Sequence, residues 1–182
     1  MSARPSTRDL LDTLHRNWPE AASPESDTVL ALFRLAALAH AGVDSLLAEH
    51  ELTPAAFEVL VTLRSAPPPR RLTPTELYRA NLLSSGGLTK ILNALSGRGL
   101  VALATNKADG RSKTVSLTPR GKRLVEAVAQ GVAARDRALF AEGADAAGVA
   151  RLRNGLLAVL DALERSAAAP AGRPAQEREA RP

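Results

Sequence analysis

The stretch from Leu72 to Leu117 constrains this chain more than any other, because three patterns follow one another there in a fixed order. Leu72-Thr73-Pro74-Thr75-Glu76-Leu77 places a threonine at a helix N-cap, a proline at the first helical position and a glutamate three residues past the cap. Together they make a capping box, and the flanking leucines have the spacing of a hydrophobic staple. The pattern predicts a helix of barely two turns, ending near Ala80. A short connection, Asn81-Leu82-Leu83, leads to Ser84 or Ser85 as the next cap. A second helix follows with Leu88, Ile91, Leu92 and Leu95 on its buried side, and it stops at Gly97-Arg98-Gly99. The period then changes from helix to strand. Leu100–Thr105 and Lys113–Leu117 read as two strands, and the connector between them contains Asp109-Gly110, a hairpin turn signal. A short capped helix, a tight connection, a second helix and a hairpin are the parts of a helix-turn-helix followed by a wing.

The flanking segments read as helices. Leu10, Leu11, Leu14 and Trp18 fall at helical spacing, and Pro19 and Pro24 interrupt the pattern, so a short separate helix is expected near the N-terminus. A long helix from about Thr28 to Ala48 carries Val29, Leu32, Phe33, Ala36, Ala39, Val43, Leu46 and Leu47 as one apolar stripe. Thr53-Pro54 opens another, with Leu52 and Phe57 at staple positions, and it ends before Pro67. Thr118-Pro119 caps a helix with Leu124, Val125, Val128 and Val132 inward. A last helix, about 145–165, carries Val149, Leu152, Leu156, Leu157, Leu160 and Leu163. The expected organisation is an N-terminal extension over 1–26, a winged domain with its dimerisation helices over 27–165, and a tail over 166–182. The tail is Ala, Pro and charge, too poor in apolar groups to order itself. The fold class is mainly α, with a helical body and a two-stranded wing.

Charge distribution points to a polyanion. Residues 70–123 hold eleven Lys/Arg against Glu76 and Asp109, a local balance of +9 in a chain whose net charge is +5. A basic segment in a chain whose remaining residues are mildly acidic in sum is the footprint of a nucleic-acid site. The solvent stripe of the second helix of the pair is Ser85, Thr89, Lys90, Asn93 and Ser96, with Gly86-Gly87 in its first turn. Such side chains are short or hydrogen-bonding, as base-edge contact in a major groove requires, and the stripe contains no acid. Glycines at a helix start let phosphate oxygens approach backbone N–H groups. Lys107, Arg111 and Lys113 crowd the hairpin, where a tip arginine can enter a minor groove.

Other chemistries find little support. Cysteine is absent, and His15, His40 and His50 have no metal-ligand spacing, so no metal, cofactor or catalytic site is expected. No signal peptide and no apolar run of membrane-spanning length is read in the sequence, which predicts a cytoplasmic protein. The rival to a DNA-binding regulator is a winged helix used only for protein–protein assembly; the basic segment and the acid-free stripe argue against it.

The chain from about Val29 to Glu164 resembles the MarR family of bacterial transcriptional regulators. The runs that carry the resemblance are Leu52-Thr53-Pro54, Leu72 to Leu77, Leu83-Ser84-Ser85-Gly86-Gly87-Leu88-Thr89, Arg98-Gly99-Leu100-Val101, Asp109-Gly110-Arg111 and Val115 to Gly121. The resemblance implies a homodimer that straddles palindromic double-stranded DNA. Its recognition helix is about Ser84–Gly97 and its wing about Leu100–Leu117, and a small-molecule effector is held between body and winged lobe. The residues expected at DNA are Ser84, Ser85, Gly86, Thr89, Lys90, Asn93, Lys107, Asp109, Arg111 and Lys113. Where the family has two adjacent basic residues after the wing aspartate, this chain has Gly110 first, leaving Arg111 alone at the tip.

Trp18 on a helix ahead of the domain is similar to the urate-responsive branch of that family. The resemblance places an effector against Trp18, Glu58, Ile91 and Leu103. In that branch the last two positions are arginines; Ile and Leu here leave an anionic purine without cationic donors. The implied effector is neutral or cationic and more apolar. Two readings of Trp18 stand side by side: it stacks on an effector, or it only fastens the extra helix, with Glu58 paired to Arg64 or another arginine.

Overall fold

The structure, a computed structural model, describes residues 5–81, 85–105 and 113–168. Two compact units make up the chain, 1–139 and 140–182.

In the first unit, α1 (Thr7–Asn17) starts at a capping box: the Ser6 hydroxyl accepts the Asp9 N–H, and the Asp9 carboxylate accepts the Ser6 N–H. A single 3₁₀ turn, Pro19–Ala21, follows Trp18. The long helix α2 spans Pro24–Glu49, four residues earlier than its apolar stripe suggested. Pro24 does not interrupt a helix here. It occupies the first helical position behind the Ser23 cap, where a missing N–H costs nothing. The ring of His15 on α1 pairs with Asp27 on α2 at 3.0 Å, and Arg34 of α2 donates to the carbonyl of Pro5, ahead of α1, at 3.1 Å.

The stripe of α2 is not the buried face expected. Leu46 and Leu47 are buried, whereas Val29, Phe33 and Leu38 are 50%, 70% and 60% exposed. Only the C-terminal end of the helix reaches the core. The reading that no segment approaches a membrane span also needs correction: α2, at 26 residues, is long and apolar enough by length and composition to cross one. Its alanines, leucines and valines outweigh the few charges spaced along it.

The core is built by α3 (Pro54–Ser65), α4 (Pro74–Ala80), α5 (Ser85–Gly97), a two-stranded antiparallel sheet of β1 (Val101–Thr105) and β2 (Lys113–Leu117), and the first half of α6 (Pro119–Ala141). Val59, Leu60, Leu63, Leu77, Leu95, Leu100, Val115, Val125 and Val128 are essentially inaccessible. Leu95, Val125 and Val128 lie on the expected inward stripes, Leu77 at a staple position, and Leu100 and Val115 in the wing segment, while Val59, Leu60 and Leu63 add a buried face on α3 for which no stripe was expected. The strand register pairs Val101 with Leu117 and Thr105 with Lys113. On its other edge β2 meets Leu72, whose N–H donates to the Val115 carbonyl at 3.0 Å and whose carbonyl accepts the Val115 N–H at 2.7 Å. The wing base is thereby bonded to the residue that precedes the helix-turn-helix.

In the second unit, α7 (Ala146–Ala168) is started by Asp145, whose carboxylate accepts the Gly148 N–H at 2.7 Å. Leu152, Leu157, Leu160 and Leu163 are between 41% and 61% exposed, so this helix presents an apolar face to its surroundings.

Candidate nucleic-acid interface

The helix-turn-helix is held by a small polar kit. Thr73 accepts the Glu76 N–H at 3.2 Å while the Glu76 carboxylate accepts the Thr73 N–H at 2.7 Å, the reciprocal capping the sequence predicted. These bonds hold the Glu76 carboxyl below its ordinary range, since they favour the charged form. At the far end of α4, buried Asn81 donates to the Leu77 carbonyl at 2.8 Å and accepts the Thr62 hydroxyl at 3.2 Å. Asn81 therefore fixes the angle between α3 and α4, a role that its place in a short polar connection did not reveal.

The second helix of the pair, α5, buries Leu88, Leu92 and Leu95 and turns Gly86, Thr89, Lys90 and Asn93 outward. Exposed positions thus recur at i, i+3, i+4 and i+7, one continuous stripe with no acid on it. Ser96, read as part of that stripe, is half-buried. A β-carbon on Gly86 would meet nothing within 4 Å. The protein's own packing therefore does not require glycine there, whereas close approach of an outside group to the backbone would exploit it. Lys113 stands exposed at the start of β2. Ser84, Lys107, Asp109 and Arg111 lie outside the described residues, as does the side chain of Ser85.

The base of the wing is closely built. Just past the end of α5, Gly99 adopts φ +66°, the left-handed conformation that favours glycine, and the Leu100 N–H donates back to the Leu95 carbonyl at 2.9 Å. Thr118 donates its hydroxyl to the Gly99 carbonyl at 2.7 Å and accepts the Gly121 N–H at 3.0 Å. Arg98, one of the basic residues of the charged segment, is engaged inside the molecule. Its guanidinium donates to the carbonyls of Glu51 at 2.5 Å and His50 at 2.9 Å, clamping the end of α5 to the end of α2. Arg64 is likewise occupied, by Glu126 at 2.7 Å and not by Glu58.

The residues expected at an effector fall at separate places. Trp18 sits at the C-cap of α1 and is 62% exposed; Leu103, on β1, is 43% exposed. Glu58 is exposed on α3. Ile91 is half-buried and lines a cleft of about 390 Å³ between α5 and the α2–α3 junction, with Glu51, Thr53, Ala56, Gly87 and Arg98 among its walls. None of the other three lines that cleft. No group of three or more His, Asp or Glu suited to a metal ion occurs among the described residues.

A sequence profile of the MarR family matches residues 50–112, which take in α3, α4, α5 and β1 and stop before β2. The structure of a cysteine-to-serine mutant of MarR from E. coli in complex with operator DNA superimposes with a TM-score of 0.60 at 30% identity, over 76% of this chain and 99% of that one. The chain belongs to the MarR family. Wild-type apo MarR from E. coli superimposes with a TM-score of 0.62 at 28% identity, over 71% of this chain and 93% of that one. The HTH-type transcriptional regulator PecS of Dickeya dadantii is 26% identical over 99 residues, 54% of this chain and 60% of PecS. This chain therefore spans less than two thirds of the curated relative it matches. AbsC, a MarR family regulator from Streptomyces coelicolor, shares the fold at a TM-score of 0.68 and 19% identity, over 79% of this chain and 97% of that one. The shared architecture is the winged helix described above.

Proposed function

We propose that this MarR family member is a sequence-specific, double-stranded-DNA-binding transcriptional regulator, non-enzymatic and cytoplasmic, which acts as a homodimer on a palindromic operator. The observation that carries the reading is the outward stripe of α5: Gly86, Thr89, Lys90 and Asn93 on one exposed face, without an acid, beside a two-stranded wing. A helix presented so fits a major groove, and Lys90 adds phosphate attraction. The operator complex of a relative 30% identical supports the same use of the fold.

Dimerisation is supported by apolar surface that each unit leaves open. Phe33 and Leu38 on α2, and Leu160 and Leu163 on α7, are about half or more exposed. A soluble chain covers surface of this kind with a partner, and two-fold symmetry supplies one from the same sequence.

The regulator responds to a small effector that is neutral or cationic. Ile91 and Leu103, at the places of the arginines in the urate-responsive branch, support this by removing the donors that an anionic purine needs. Ile91 lies on a cleft of ligand size.

A mobility shift with the DNA upstream of the protein's own coding sequence tests the central reading. A discrete complex that survives excess nonspecific competitor is expected. Equal binding to every sequence, or none, leaves the winged helix as an assembly module and sinks the proposal.

A further inference from the structure

Two consecutive exposed arginines stand just ahead of the helix-turn-helix. Arg70 and Arg71 precede Leu72, whose main chain is bonded in both directions to Val115 of β2. That pairing fixes where the two side chains originate. They border a cleft of about 410 Å³ whose other walls include Arg64 from α3, Ser116 from β2 and Lys122 from α6. Four cationic side chains thus converge from three separate segments. Among the described residues, Glu126 is the carboxylate paired with them: it accepts from Arg64 at 2.7 Å and lies 4.0 Å from the Lys122 Nζ. Among the described residues Arg70 and Arg71 enter no ion pair.

Like charges gathered in one concavity focus a positive potential and raise the local concentration of anions. Arginine forks bind carboxylate and phosphate groups bidentately, and a lysine adds a compact charge. We propose that this cleft binds a small polyanion, a molecule with two or more carboxylate or phosphate groups on a short frame. Its acidic groups engage Arg70, Arg71 and Lys122, the hydroxyl of Ser116 is a further donor, and the faces of Pro69 and Leu117 pack against its frame.

The DNA backbone fits the cleft less well. β2 runs from Lys113, beside the hairpin connector, to Leu117, beside α6. Four residue steps at about 3.3 Å each put the cleft roughly 13 Å along the strand from the connector. It opens at the base of the wing, not at its tip. A molecule bound there touches the α3–α4 connector, the wing and α6 together, so its presence bears on how the DNA-reading lobe joins α6.

The test titrates the full chain with citrate and, separately, with pyrophosphate, at constant ionic strength held with sodium chloride. Calorimetry and the melting temperature are followed. Saturable binding of at least one of the two, with a raised Tm, is expected. The R70Q/R71Q double variant should bind about ten- to a hundredfold more weakly, the scale of losing charged hydrogen bonds. The control Arg8→Gln, on α1, should bind as the parent does. Circular dichroism checks folding, and if the double variant is unfolded the single variant Arg71→Gln carries the same comparison. The proposal is overturned if both anions act only as chloride does, or if R70Q/R71Q retains full affinity. Loss of operator affinity in that variant, with no anion binding by the parent, assigns the arginines to DNA and overturns it as well.

Discussion

The carbonyl group of Leu100 occupies the space that a β-carbon on Gly121 would need. The start of α6 can approach the end of the α5–β1 turn only because residue 121 has no side chain. Substitution Gly121→Ala forces backbone apart from backbone, with no flexible side chain to yield. We expect a loss of about 1–3 kcal/mol, read as a lowered midpoint in urea unfolding. An unchanged midpoint would show that the two segments are not in contact.

The capping box of α4 predicts an acid-side weakness. Glu76 is held below its ordinary value of 4.5 by the Thr73 N–H and hydroxyl. A depressed carboxyl contributes stability above its unfolded pKa, and that contribution fades as the pH falls through the lower folded value. Stability at pH 7 therefore includes it, and the loss begins below about 4.5. Glu76→Gln should flatten that part of the pH–stability curve. Thr73→Ala should cost about 1 kcal/mol at neutral pH, the usual worth of an N-cap. An identical acid limb in the parent and Glu76→Gln would remove the box from the account.

On α5, Lys90 and Asn93 should fail in different ways. Lys90→Ala weakens binding to all sequences alike and lowers the slope of log affinity against log salt by about one. Asn93→Ala costs roughly 1–3 kcal/mol at the operator and little elsewhere. Fluorescence anisotropy on specific and scrambled duplexes separates the two; a parallel loss on both duplexes for Asn93→Ala would exclude base reading there.

Phe33→Asp and Leu160→Asp each place a carboxylate on an apolar face that a partner is expected to cover. A charge buried without a counter-ion is costly, so either change should shift the mass in light scattering from dimer to monomer or aggregate. A parent protein that is already monomeric at micromolar concentration would contradict the dimer.

Urate should bind weakly or not at all, and an aromatic cation should bind better. Trp18 is the only tryptophan, so its emission reports on one place. Release of operator DNA by micromolar urate would overturn the effector class, and an aromatic cation that leaves both emission and DNA binding untouched would remove Trp18 from it.

Local chemistry made most of the fold readable in advance. The Thr53, Thr73 and Thr118 caps, the Gly97–Gly99 stop and the buried leucines of α5 are each set by neighbours a few residues away, which is what a sequence displays. The exposed stripe of α5 followed from the same periodicity. What escaped were bonds between distant segments. Nothing local marks Arg98 as the clamp on His50 and Glu51, Asn81 as the partner of Thr62, or Arg64 as the partner of Glu126. The stripe of α2 was legible as apolar, yet periodicity cannot tell a face buried within one chain from a face left open, and most of α2 is the second kind. The four effector residues were drawn together by resemblance, and the cleft that Ile91 lines is not lined by the other three.

The two-way bond between Leu72 and Val115 carries a mechanical consequence. With β1 on one edge and Leu72 on the other, the wing strand cannot slide or tilt without dragging the helix-turn-helix along. The helix-turn-helix and wing therefore behave as one jaw of a caliper, with its internal gauge set at folding. In a dimer of such jaws the quantity left to adjust is the opening between them. Discrimination among operators by half-site spacing, and any control that a bound molecule exerts, would then act on that opening and leave the shape of each jaw alone.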